Sequence, residues 1–326
     1  MSQTRTHKTS DSDDDFDVIT LCIDQNQFRS NDLVSLIADE RFGFLVPEAA
    51  IIEMIKSNAW EQTLRSSLRH LSTVPYRVHL GTSMTGCMYA ELRSHRPLAL
   101  WQLLDIEGSK RLQGLLSEVA TESFGPEFEW LAKKKADIDR WLRSGHLNHD
   151  KNQRVVRGGV EAFLQSLSVE TVKRMRRKDL SDTDRMRFVS GAAFGFTQRL
   201  LRDAGMADDV AISLSANKCF IARQNWLSTW TFLYWVEYGG SEARLPADST
   251  NDHIDDQIIL AGSYVNGLMT RDRRVGDAYS ALARALHPDF SWEIDVGIPT
   301  DLPRRPDLAE WTKEAIQRPL AGPFKG

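Results

Sequence analysis

The stretch that most constrains this chain runs from Asn251 to Arg274, NDHIDDQIILAGSYVNGLMTRDRR, an uncharged apolar centre between two acidic ends. Its middle, IILAGSYV, reads as a helix lying on a sheet, and GLMT as a short buried strand that delivers the chain to TRD. Asp256 then stands at the start of a helix and Asp272 just past the end of the following strand. In an open α/β sheet both positions face the carboxyl edge, where sites form. Two carboxylates aimed at one point repel, and a divalent cation is the usual compensation.

Earlier segments carry the same signature. FDVITLCID is a continuous apolar run rich in β-branched residues, a strand buried on both faces and closed by Asp24, with Asn26 two residues on. Asn31 and Asp32 are N-cap candidates for a short helix, and FGFLV from Phe42 to Val46 reads as a second strand. Pro47 opens a helix, AAIIEMIKSNAWEQTLRSSLRHL, with Ala50, Ile51, Met54 and Ile55 on one face and Glu53 off it near the N-terminal end. YRVHLG from Tyr76 is a third strand and TGCMYAEL a helix. After Pro97 the strand-helix alternation gives way to long helical patterns as far as Arg244, without a fixed-period repeat. GDAYSALARAL is a late helix and SWEIDVGI a last strand. The expected organisation is an acidic disordered leader over 1–15, an α/β domain over 16–97 and 245–298, an all-helical insertion over 98–244, and an irregular end over 299–326.

Bulk properties narrow the functions. The formal charge of −4 offers no global basic signature, although 98–244 carries 22 Lys and Arg against 19 Asp and Glu. Cys22, Cys87 and Cys219 have neither CxxC spacing nor a disulfide framework, which suits a reducing compartment and predicts a cytoplasmic protein. No apolar stretch approaches the roughly 18 residues a membrane span needs. The chain lacks a zincin HExxH helix, a GxSxG elbow and a phosphate-binding glycine loop. For gripping a polyanion the candidates are Lys173, Arg174, Arg176, Arg177 and Lys178 in VKRMRRKD. Trp226, Trp230, Tyr234 and Trp235 recur at helical spacing and read as core.

Asp24-Gln25-Asn26 after a strand, Val46-Pro47 leading to Glu53, an Asp before IILAG, and Thr270-Arg271-Asp272 after a strand stand in the order of the motifs of PIN-domain nucleases, which the chain resembles over roughly 16–97 and 245–298. The resemblance implies a three-layer α/β/α domain with a central parallel sheet, here interrupted by the helical stretch. It also implies phosphodiester hydrolysis with Mg²⁺ or Mn²⁺ held by Asp24, Glu53, Asp256 and Asp272, directly or through water, and Asn26 and Thr270 orienting the carboxylates. NDHIDD leaves Asp252, Asp255 and Asp256 open for the third position. Asp256 ranks first by its distance from the apolar run and Asp252 second, one helical turn away, whereas Asp255 is rotated about 100° from its neighbour. An all-oxygen donor set suits hard cations. The family implies RNA more than DNA, hence an endoribonuclease of toxin, defence or RNA-processing type. The other expectation, from a different class, is a catalytically silent module whose helical stretch docks a protein or RNA. A protein partner or inhibitor on that stretch, and self-association, complete the expected partners.

Overall fold

The structure, a computed structural model, describes residues 18–294 except 57, 145–153, 155, 156, 159, 162, 166 and 239–245. Side chains are described for all of these except 137, 138, 141–144 and 246–253. The expected leader, the C-terminal segment and the Asp252 side chain therefore lie outside the described residues.

The chain builds a mixed α/β fold on a five-stranded sheet of order β4-β3-β2-β1-β5. β1 (Ile19–Ile23) pairs parallel with β2 (Phe42–Val46) on one side and β5 (Gly267–Met269) on the other. β2 pairs parallel with β3 (Val78–Gly81), and β4 (Leu104–Asp105) closes that edge antiparallel. The alternation of strand side chains divides the core. Cys22 and Leu45 join one apolar cluster, while Ile23, Phe44 and Val46 join the other. A sheet with apolar side chains on both faces needs cover on both, and each fully buried Leu, Ile or Phe contributes about 1.5–3 kcal/mol.

The cover comes from helices. α1 (Asn31–Ile37) starts on Ser30, whose hydroxyl accepts from Leu33 N at 3.0 Å, so the cap lies just before the Asn31 and Asp32 candidates. α2 (Glu48–Ile55) follows Pro47, and α3 (Trp60–Leu68) follows α2. The single helix expected over this stretch is therefore two, and Glu53 belongs to the last turn of the first rather than to a helix start. α4 (Met84–Ser94), α5 (Ile106–Ala120), α6 (Pro126–Ser144), α7 (Val169–Arg177), α8 (Asp182–Asp203), α9 (Asp208–Ala216) and α10 (Phe220–Glu237) come next. α11 (Pro246–Gly262) leads into β5, and α12 (Arg273–Leu286) follows it.

Part of the stretch expected as an all-helical insertion, 98–244, belongs with the sheet. β4 and α5 lie inside that range, yet β4 extends the sheet. Leu112, Leu115 and Leu116 of α5, with Phe128 and Leu131 of α6, share a core with Phe44 and Val46. On the other face Trp226 and Trp235 of α10 share a core with Cys22 and Leu45. Of these helices α5 packs on the sheet beside α6, while α7 to α10 pack on one another and on α4, α11 and α12.

Buried Glu91 of α4 fastens this arrangement. Its Oε1 accepts from Leu98 N at 2.7 Å and Phe220 N at 2.6 Å, and its Oε2 from Ile221 N at 3.0 Å. Cys219, the residue before α10, offers no side-chain cap, so a carboxylate from a distant helix satisfies the first-turn amides. Of the expected strand SWEIDVGI, residues 291–294 are described and are not a strand; the rest lies outside the described residues. Trp292 instead buries its indole and donates to Ala285 O at 2.8 Å. Among the described residues no helix is long and apolar enough to cross a membrane.

Candidate functional site

β2 and β3 lie to one side of β1, and β5 lies to the other. The order of the chain reverses between β1 and β5, and the crevice beyond the carboxyl ends of two such strands is where open α/β sheets bind ligands. Asp24 leaves β1 at this place, and Thr270-Arg271-Asp272 leaves β5.

Asp24 is 5% exposed, and its backbone N donates to Met269 O at 3.0 Å, which extends the β1–β5 pairing by one rung. Its Oδ2 accepts from Asn26 Nδ2 at 2.6 Å and from Thr270 Oγ1 at 2.6 Å. Asn26 Oδ1 accepts from Arg271 N at 3.0 Å, and Thr270 Oγ1 from Asp272 N at 3.0 Å. Asp272 caps α12, its Oδ1 accepting from Val275 N at 3.1 Å. One hydrogen-bonded chain therefore runs across the two strand ends, and Asn26 and Thr270 both hold the Asp24 carboxylate in place.

Of the three aspartates left open in NDHIDD, the structure brings Asp255 to this place. α11 begins at Pro246, more than two turns before the expected start, so neither Asp255 nor Asp256 opens a helix. Asp255, Ile258 and Gly262 follow at helical spacing on one face. Ile258 O lies 3.6 Å from Cys22 Sγ, and a Cβ on Gly262 would stand 3.1 Å from Leu268 Cβ. This face rests on β1 and β5, and two turns back along it Asp255 stands beyond the strand ends. Sequence distance from the apolar run favoured Asp256. Contact with the sheet, shown by Gly262, selects Asp255. The i, i+3, i+7 pattern ending on a glycine was the available signal.

The charges respond to one another. Burial, and more weakly the charge of Asp272, raise the Asp24 carboxyl above its ordinary range, against the hydrogen bond from Thr270. Burial pushes Asp255 up to about 7; Arg274 opposes this, and the charges of Asp24 and Asp272 add to it. Glu53 is raised by burial and, to a smaller extent, by Asp24, with Lys56 opposing. Two basic side chains sit among these acids. Arg274 Nη2 donates to Asp255 Oδ2, and Lys56 Nζ donates to Glu53 Oε1 at 3.3 Å. Arg274 did not stand out in the sequence, and Asp255 ranked below Asp256 and Asp252 for the third position.

Among the described residues no group of three or more His, Cys, Asp or Glu side chains is arranged to hold a metal ion by itself. Mg²⁺ does not demand such a cage. It keeps several waters and is commonly held by one or two carboxylates together with substrate phosphate. Asp24 and Asp272, hard oxygen donors from adjacent strand ends, fit that requirement. Buried Gln27 Oε1, in the turn after Asp24, has no hydrogen-bond partner among the described residues.

The other candidates lie elsewhere. Trp226 and Trp235 are core residues; Trp226 donates to Ser190 Oγ at 2.9 Å and stacks on Trp230. Lys173, Arg174, Arg176, Arg177 and Lys178 are exposed at the end of α7, where Arg174 meets Asp184 at 3.5 Å and Lys178 lies over the Tyr238 ring. The three cysteines are buried free thiols. Comparison with models of protein families, with curated proteins and with solved structures finds no match to this chain.

Proposed function

We propose that this chain is a nuclease that hydrolyses phosphodiester bonds with the help of Mg²⁺ or Mn²⁺, on a three-layer α/β/α domain of the PIN type. The observation that carries the reading is the meeting of Asp24 and Asp272 at the point where strand order reverses, with Asp255 and Glu53 within reach of the same charge. Asp24 and Asp272 would hold the cation, and Asp255 and Glu53 would act on it directly or through water. Asp256 and Asp252 are the weaker choices for that third position. When bound, such an ion supplies charge neutralisation at the phosphate and lowers the pKa of a water. Asn26 and Thr270 fix the direction of the Asp24 carboxylate, a service whose loss typically costs about 10–100-fold in affinity or activity. Arg274 compensates Asp255, so that four carboxylates can share one crevice. RNA is the favoured substrate because the PIN-domain nucleases the chain resembles mostly cut RNA, which makes an endoribonuclease the specific form of the proposal.

A second reading has its own observation. Arg274 and Lys56 already neutralise two of the acids from within the chain, as they would in a silent module that docks a protein or RNA. Incubating the protein with labelled single-stranded RNA and DNA, in Mn²⁺, Mg²⁺ or EDTA and beside Asp24→Asn, separates the two. Cleavage lost in EDTA and in the variant supports the nuclease. Cleavage that persists in either removes the metal mechanism, and no cleavage of any substrate favours the module.

A further inference from the structure

An acidic crevice repels the polyanion that the proposed reaction requires, so cations must stand near enough to bring the backbone in. The basic run on α7 is a poor source, because that helix packs chiefly on α10 rather than on β1 or β5, whose ends form the crevice. The rim of the crevice offers a better one. Arg271 and Arg273 flank Asp272 directly in sequence. The Arg271 backbone is anchored to Asn26, while its side chain is 57% exposed and meets Asp32 at 3.4 Å. Arg273 opens α12 with its side chain 95% exposed and 3.7 Å from Asp277. Ion pairs between groups so exposed contribute little and are readily exchanged. The two free oxygens of a backbone phosphate offer either guanidinium a bidentate partner.

Resting on the nuclease reading of this site, we infer that Arg271 and Arg273 are the substrate-positioning residues, each holding a backbone phosphate of single-stranded nucleic acid next to the bond to be cut. Affinity then comes from the rim of the crevice and is independent of sequence. The α7 run does not take part.

The test measures binding by fluorescence anisotropy of a labelled single-stranded RNA in EDTA, at several KCl concentrations. The full chain is compared with R271Q/R273Q, R271K/R273K and R174Q/R176Q/R177Q. The Gln pair binds about tenfold more weakly, and its salt slope is shallower by about 1 to 1.5. The Lys pair keeps most of the affinity, and the α7 variant binds as the parent does. A Gln pair that matches the parent at every salt overturns the inference, as does a loss found only in the α7 variant or one equally large in the Lys pair. Failure of the parent to bind any RNA also overturns the inference, and leaves the nuclease reading to the cleavage assay in Mn²⁺ or Mg²⁺. Rim-dependent binding without cleavage in Mn²⁺ removes only the nuclease reading.

Discussion

Thr270 donates a 2.6 Å hydrogen bond to Asp24 Oδ2 from a position 246 residues away, and the same hydroxyl accepts from Asp272 N. The bond spans the gap between β1 and β5 and sets two carboxylates by one oxygen. Thr270→Val keeps the shape and removes the donor. Loss of a hydrogen bond to a charged group costs about 1.5–3 kcal/mol. The expected outcome is that loss in urea unfolding and a fall in cleavage of about 10–100-fold, with Thr270→Ser close to the parent. Cleavage by the Val variant at the parental rate would show that the bond orients nothing.

The Asp255 carboxyl, raised to about 7, predicts the direction of pH dependence. An ordinary aspartate titrates near 4. Between those values the folded chain binds this proton more tightly than the unfolded chain does, so stability falls as pH rises through the window. Asp24 and Glu53, also raised, push the same way. Melting temperature followed from pH 5 to pH 8 should decline in the parent and decline less in Asp255→Asn. Parallel curves would mean that Asp255 titrates as it does in water.

Arg274→Gln strips the half-buried Asp255 of its cation. Removing one partner of such a pair costs about 3–5 kcal/mol. The loss should be large at pH 8 and small at pH 5, where Asp255 takes up a proton instead. Adding Asp255→Asn should recover most of it, since no uncompensated charge remains. Denaturant melts of the two single variants and the double variant measure the coupling, and additive effects would show that the pair does not interact.

Glu91→Ala leaves three buried backbone amides without an acceptor, at a cost on the order of 3 kcal/mol. Glu91→Gln retains one acceptor oxygen and turns an amide group toward a donor, so its loss should be of similar size. The damage falls on the start of α10. Hydrogen exchange at Phe220 and Ile221 should quicken more than at Phe44 in β2, and equal quickening at both would count against a local cap.

Local pattern was enough for the elements nearest the site. The residues of β1 and β2 form uncharged, mainly apolar runs, so the strands could be read directly, although β1 begins only at Ile19 and its first three residues are half-buried. Asp24, Asn26, Thr270 and Asp272 were legible for a related reason. A polar residue that ends a buried strand has its place set by the strand, and its backbone leaves it little choice of edge. Glu53 was found, but its helical context was not, because the apolar spacing continues across a break between α2 and α3 that periodicity alone does not mark.

Asp255, Arg274 and Glu91 needed the assembled fold. Three aspartates in five residues differ only in helical phase, and phase counts only once the sheet under α11 says which face is down. Arg274 finds Asp255 from another helix, and Glu91 reaches amides more than a hundred residues away, contacts to which no sequence spacing corresponds. The covering role of α5 was hidden likewise: a helical pattern declares an apolar stripe without naming the surface it will cover. Order along the chain therefore specified strands, their terminal acids and the edge they share. Packing in three dimensions decided which charges meet, because burial and Coulomb interaction depend on distance through space.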